Sequence, residues 1–143
     1  MYKGKPSSGL DFFNLLYQSK EFTSEFGQMI LASAKLEAEL ILLLKKSNSK
    51  GIIKKHSLGK LIHIAYNNQL LSDNEFEIFK LLKNQRNYMT HNIYALFNYS
   101  TEESILAREN LLESDVFYYT ETAWEIKENL NNLVDIIKEK NIN

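Results

Sequence analysis

The sequence predicts an all-α protein, an antiparallel helical bundle of four to five main helices. Three observations carry that expectation. Apolar residues recur at spacings of three and four along most of the chain. Breakers are scarce, with one proline and five glycines in 143 residues. Helix-capping residues stand before the apolar runs, at Ser57, at Ser72-Asp-Asn-Glu75 and at Ser100-Thr-Glu-Glu103.

Asp11 to Gln18 fits a short leading helix or part of an N-terminal arm covering residues 1–19. From Glu21 to Lys46, Phe22, Phe26, Met29, Ile30, Ser33, Leu36, Leu40, Leu43 and Leu44 form one stripe of a long helix. Glu37 and Glu39 fall near its polar side, where a solvated surface is expected. Ser47-Asn-Ser-Lys-Gly51 breaks it, being rich in turn formers. Ser57 caps a helix carrying Leu58, Leu61, Ile62, Ala65 and Leu70. The capping box at Ser72 opens another, expected to reach about Phe97 through Phe79, Leu82, Met89 and Ile93. The box at Ser100 opens a helix with Ile105, Leu106 and Leu112. After Ser114-Asp115 a last long helix carries Val116, Tyr119, Ala123, Ile126, Leu130, Leu133, Ile136 and Ile137. The whole reads as a single domain, 1–143, with its core bundle over about 20–140.

No cysteine is present, which excludes disulfides, thiol catalysis and thiolate metal sites. No apolar run approaches the roughly 20 residues of a membrane span, and no apolar stretch follows Lys3 and Lys5 as in a secretory signal. A cytoplasmic protein without a membrane partner is expected. The net charge of −1 hides an asymmetry. Residues 1–60 hold ten lysines against five acids, and residues 61–143 hold seven Lys and Arg against thirteen acids. Lys45 to Lys60 contains six lysines and no acid. Such a segment, with Lys54 and Lys55 at its centre, attracts phosphates, although lysines around a loop are usually just a solvated surface.

One constellation carries chemistry. Arg86-Asn87-Tyr88-Met89-Thr90-His91 lies within the helix opened by Ser72. At about 100° per residue, Arg86 borders the apolar arc, whereas Asn87 and His91 share the polar face with Lys80 and Asn84. The residue-level alternatives are plain. Arg86 can pair with Glu75, Glu77 or an acid on another helix, and His91 can be an ordinary surface histidine. His56 and His63, two turns apart without a third ligand at comparable spacing, read as surface residues, so no metal site is expected. Tyr88, Tyr94, Tyr99, Tyr118 and Tyr119 are core or subunit contacts, or platforms on which bases stack. There is no nucleophile elbow and no phosphate-cradling glycine loop.

An arginine, a polar residue, and a histidine a few positions later resembles the motif of the HEPN superfamily. Here it is Arg86-Asn87 followed by His91, and Ser57-Leu-Gly-Lys-Leu-Ile62 looks like the region ahead of the motif helix in several HEPN families. The resemblance extends over roughly residues 20–140. It implies a helical bundle that forms a homodimer with the motif at the interface. It also implies a metal-independent endoribonuclease, a toxin of a toxin–antitoxin pair or an abortive-infection defence effector held in check by an antitoxin or regulatory protein. The alternative within the family is a non-catalytic module binding RNA, a nucleotide or a protein. Toxins of this type partnered by a small nucleotidyltransferase often carry a modified tyrosine two residues after the histidine. This chain has Ile93 there and Tyr94 one position later, a departure from the pattern.

The residue types suit the chemistry that the resemblance implies. RNA brings its own nucleophile, the ribose 2′-hydroxyl, so a cleaving enzyme needs no cofactor and no metal. An imidazole can take or give a proton near neutral pH, the task expected of His91. Arg86 can fork two hydrogen bonds onto phosphate oxygens. Asn87 either orients His91 or holds a phosphate oxygen. Lys80, Asn84, Tyr94, Lys54 and Lys55 are the expected RNA contacts. The products would be a 2′,3′-cyclic phosphate and a 5′-hydroxyl. One histidine cannot easily serve as both base and acid, and a dimer would supply a second.

Overall fold

The computed structural model describes residues 9–49, 56–91 and 113–142. Five helices pack together: α1 (Gly9–Gln18), α2 (Lys20–Lys46), α3 (Leu58–Asn67), α4 (Asp73–His91) and α5 (Glu113–Ile142). Among the described residues there is no strand, and no helix is long and apolar enough to cross a membrane.

Two caps, Ser57 and the Ser72–Glu75 box, lie where the sequence places them, and Ser19 adds one that the sequence reading did not name. Ser19 caps α2, its hydroxyl accepting from the Phe22 amide at 3.1 Å. Ser57 caps α3 and accepts from the Lys60 amide at 3.3 Å. Ser72 and Glu75 close a reciprocal capping box at the start of α4: the Ser72 amide donates to Glu75 at 2.9 Å, and the Glu75 amide donates to Ser72 at 3.1 Å. α2 and α3 end on Asn48 and Gln69, which take the left-handed conformation with φ of 51° and 62°. The expected continuation of α4 from residue 92 to Phe97, and the helix after Ser100, lie outside the described residues.

The core is the predicted stripe except at Ile30, which is 43% exposed and lines a groove instead. Met29, Leu36, Leu40 and Leu44 of α2 meet Leu58, Leu61 and Ile62 of α3, Phe79, Leu82 and Met89 of α4, and Ala123, Leu130 and Ile137 of α5. α1 is no loose arm. Phe12 and Leu16 are buried against Phe22, Val116 and Tyr119, forming a second apolar cluster at one end.

Helix direction departs from the antiparallel expectation. Lys127 bonds Glu25, and Asn141 bonds Glu39, both across a 102-residue offset. A constant offset means that α2 and α5, the most extensively packed pair, run parallel. α4 runs against α2: Arg86 pairs with Glu37, and Thr90 and His91, further along α4, line a groove with Ile30, Ser33 and Ala34, earlier in α2. α3 opposes α4, since Tyr66 meets Asp73 and Gly59 meets Lys83. Three helices therefore run one way and α4 the other. Short connections favour antiparallel neighbours.

Two polar networks tie the parallel pair. Lys127 is nearly buried, and its ammonium donates to Glu25 at 2.6 Å and to Gln28 at 3.2 Å. At the other end the Asn141 amide donates to the Glu39 carboxylate at 2.9 Å, and Lys46 donates to the Asn141 carbonyl.

Candidate active site

The last two turns of α4 place the motif between two grooves. Towards α2, Ile30, Ser33, Ala34, Glu37, Arg86, Thr90 and His91 line an open groove of about 320 Å³. Towards the start of α3, Ser57, Gly59, Lys83, Arg86, Asn87 and His91 line another of about 430 Å³. Arg86 and His91 belong to both, so they form the ridge between them. The three motif residues sit on the last turns of α4, with His91 exposed and Asn87 half-buried on the α3 side.

Arg86 sits deeper than the border of the apolar arc. Its side chain is only 16% exposed, because its position falls between those of Phe79 and Leu82 around the helix. Nη2 lies 3.9 Å from Glu37 Oε1 on α2, a loose ion pair. Nε is buried and has no hydrogen-bond partner among the described residues. Buried donors are ordinarily satisfied, so an orphaned guanidinium N–H beside a groove is a place for an incoming acceptor. Glu75 and Glu77 are engaged elsewhere, with Lys140 and Lys80, so the arginine's acid is the one across the bundle.

Glu37 is the residue that sequence reasoning missed. Expected on a solvated surface, its side chain is 34% exposed and faces the groove. Burial pushes its carboxyl above the ordinary glutamate value, and the Arg86 charge pulls it partly back. Glu39, its expected companion on the surface, is instead bonded to Asn141. No local signal marks Glu37, because its partner is on another helix. Lys83 was also missed, yet it was legible. It lies three residues before Arg86 and four before Asn87, hence on their face of α4. Its side chain runs over Gly59, where a Cβ would meet Lys83 Cε at 3.4 Å. Thr90 is held to the helix, its hydroxyl donating to the Arg86 carbonyl at 2.9 Å.

Of the expected RNA contacts, Asn84 is exposed on the motif stripe. Lys80 is half-buried three turns from His91, its ammonium 4.3 Å from the Phe76 ring centroid and 3.0 Å from Glu77. That engagement leaves it less available to a phosphate than a free lysine. Tyr94, Lys54 and Lys55 lie outside the described residues. His63 is exposed and meets Phe76 edge-on. His56 is less simply a surface residue than expected, since its Nε2 is buried without a partner among the described residues. No group of three or more His, Asp or Glu among the described residues is placed to hold a metal ion.

A roomier groove, about 630 Å³, lies between the first turns of α2 and α5, walled by Phe117 and Trp124. Glu21, Glu25 and Glu121 edge it, so it repels phosphate rather than collecting it. The α3-side motif groove has the opposite character, with Lys83, Arg86, Asn87 and His91 on its walls and no acid, while the α2-side groove sets Glu37 against Arg86. Against known proteins, no family model, no curated protein and no solved structure matches this chain.

Proposed function

We propose that this protein is a metal-independent endoribonuclease of the HEPN type, acting through Arg86, Asn87 and His91. The observation that carries the reading is the ridge between the two grooves. A guanidinium whose buried Nε is unsatisfied among the described residues stands beside an exposed imidazole, and both residues line the two grooves.

On this reading RNA crosses the ridge with its scissile phosphate against Arg86. Its Nη groups donate to nonbridging oxygens, where charge accumulates as the 2′-oxygen attacks. His91 moves a proton, and Asn87, on the α3 side, holds either the imidazole or a phosphate oxygen. Lys83 and the start of α3 receive the neighbouring phosphate. α3 has no acid in its first turn, so the partial positive charge of its N-terminal end is not offset there. The products are a 2′,3′-cyclic phosphate and a 5′-hydroxyl.

The homodimer belongs to the same proposal. Ile78, Leu81 and Tyr88 form an exposed, mainly apolar stripe along α4 beside the motif, a surface on which a second copy would bring two motifs into one cleft. A role as a toxin or antiphage effector restrained by a regulatory protein is the biological extension of this reading.

The test is cleavage of RNA by the purified protein in EDTA, with His91→Ala as the paired variant. Cleavage that survives EDTA and is abolished in His91→Ala supports the assignment. An EDTA-sensitive activity, or a fully active His91→Ala protein, overturns it.

A further inference from the structure

We propose that Glu37 is the proton acceptor for the attacking 2′-hydroxyl and His91 the proton donor to the leaving oxygen, so that one chain holds a complete acid–base pair. The proposal rests on the ribonuclease reading above and deepens it.

Three observations carry it. Glu37, Arg86 and His91 line one continuous groove between α2 and α4, with the arginine between the other two in the site's chemistry. Glu37 also differs from the chain's structural carboxylates. Glu25 accepts Lys127, Glu39 accepts Asn141, and Glu75 accepts the Ser72 amide. Glu37 accepts no hydrogen bond among the described residues, and its contact with Arg86, at 3.9 Å, is beyond hydrogen-bond reach. A half-buried carboxylate left without a donor gains nothing for the fold, whereas it suits a group that must exchange a proton. Finally, burial raises its proton affinity, which makes it a stronger base than a solvated glutamate.

The step balances within the site. The Glu37 carboxylate takes the 2′-hydroxyl proton, the O2′–P bond forms and the P–O5′ bond breaks. The His91 imidazolium delivers its proton to O5′, and Arg86 holds the nonbridging oxygens throughout. No water, metal or cofactor is consumed. A second copy would then widen the RNA cleft without having to lend an imidazole.

The experiment is single-turnover cleavage of RNA in EDTA across pH by the wild type, Glu37→Gln, Glu37→Asp and His91→Ala. Circular dichroism confirms that each is folded. The wild type should give a bell-shaped profile. Glu37→Gln should lose about 10²-fold or more in rate, the range for a missing general base, and lose the acid-side limb, while binding RNA within about twofold of wild type. Glu37→Asp should keep the limb at an intermediate rate. A mixture of Glu37→Gln and His91→Ala proteins should regain no activity, because both groups come from one chain. An acid limb that persists in Glu37→Gln, or recovery in the mixture, overturns the proposal and leaves the nuclease reading standing. A wild type that cleaves no RNA overturns both.

Discussion

Glu37 Oε1 and Arg86 Nη2 face each other across the α2–α4 groove at 3.9 Å, too far for a hydrogen bond and too close for indifference. The pair is half-made. Each partner keeps the other's charge tolerable near the core, and neither is saturated. That is poor design for a structural salt bridge and a workable one for a site that must accept a phosphate.

The carboxylate side of this relationship has a measurable consequence for stability. Burial raises the Glu37 pKa in the folded protein, with Arg86 opposing it less strongly. A raised folded pKa means that the protonated form favours folding. The favourable contribution is therefore present in mild acid and is lost as pH rises through that folded pKa. Glu37→Gln should match or slightly exceed the wild-type Tm at pH 7, and the difference should vanish as the pH is lowered. A marked destabilisation at pH 7 would mean that the charge pair outweighs burial.

For the arginine side, Arg86→Ala should lower kcat by about 10²- to 10³-fold, the usual result of removing one transition-state donor. Arg86→Lys should recover little of it, since a lysine offers a point charge where the groove presents a fork. Both variants should remain folded by circular dichroism. Rate constants measured in EDTA, with RNA binding followed separately, divide the lost chemistry from lost affinity.

The helix starts rest on local rules, and those of α3 and α4 were read from the sequence, while the Ser19 cap of α2 was legible but not read. Ser19, Ser57 and the Ser72–Glu75 box satisfy amides within three residues of themselves, and the stripe from Phe22 to Leu44 needs only the helical period. Direction was not legible. Whether α5 runs with or against α2 depends on partners such as Lys127 with Glu25, which are 102 residues apart. The site divides on the same principle. Arg86, Asn87 and His91 lie on one helix and could be read from spacing, while Glu37 joins them only by tertiary packing.

The capping box links local chemistry to global stability through Glu75. Burial works to raise its carboxyl, but the Ser72 amide and hydroxyl and the Lys140 ammonium outweigh it and bring the pKa below the ordinary value. A lowered folded pKa gives stability that is present above the unfolded glutamate value and is lost as pH falls through the folded one. Glu75→Gln should therefore weaken the protein at neutral pH and flatten the acid limb of a Tm–pH curve. Ser72→Ala should cost about 1 kcal/mol by denaturant melts. Equal acid limbs in wild type and Glu75→Gln would remove the linkage.

Gly59 and Lys83 set stability against binding. Gly59 occupies the first turn of α3, and a methyl there would meet Lys83 Cε at 3.4 Å and lie 3.7 Å from its Nζ, ordinary van der Waals contact. Gly59→Ala should stabilise the helix by up to about 1 kcal/mol, since glycine is the weaker helix former. The same methyl would lie against the lysine that the proposed RNA path uses. Lys83→Gln removes that charge with little change in stability, because the side chain runs over the surface of α3 rather than into the core. It should weaken binding across RNA sequences alike and reduce the slope of log K against log salt by roughly one counterion, about 0.7 for a single strand. Titrations of a non-cleavable RNA at several salt concentrations measure both effects. Unchanged affinity and slope in Lys83→Gln would take the neighbouring phosphate out of the α3 groove and leave it to the α2 side.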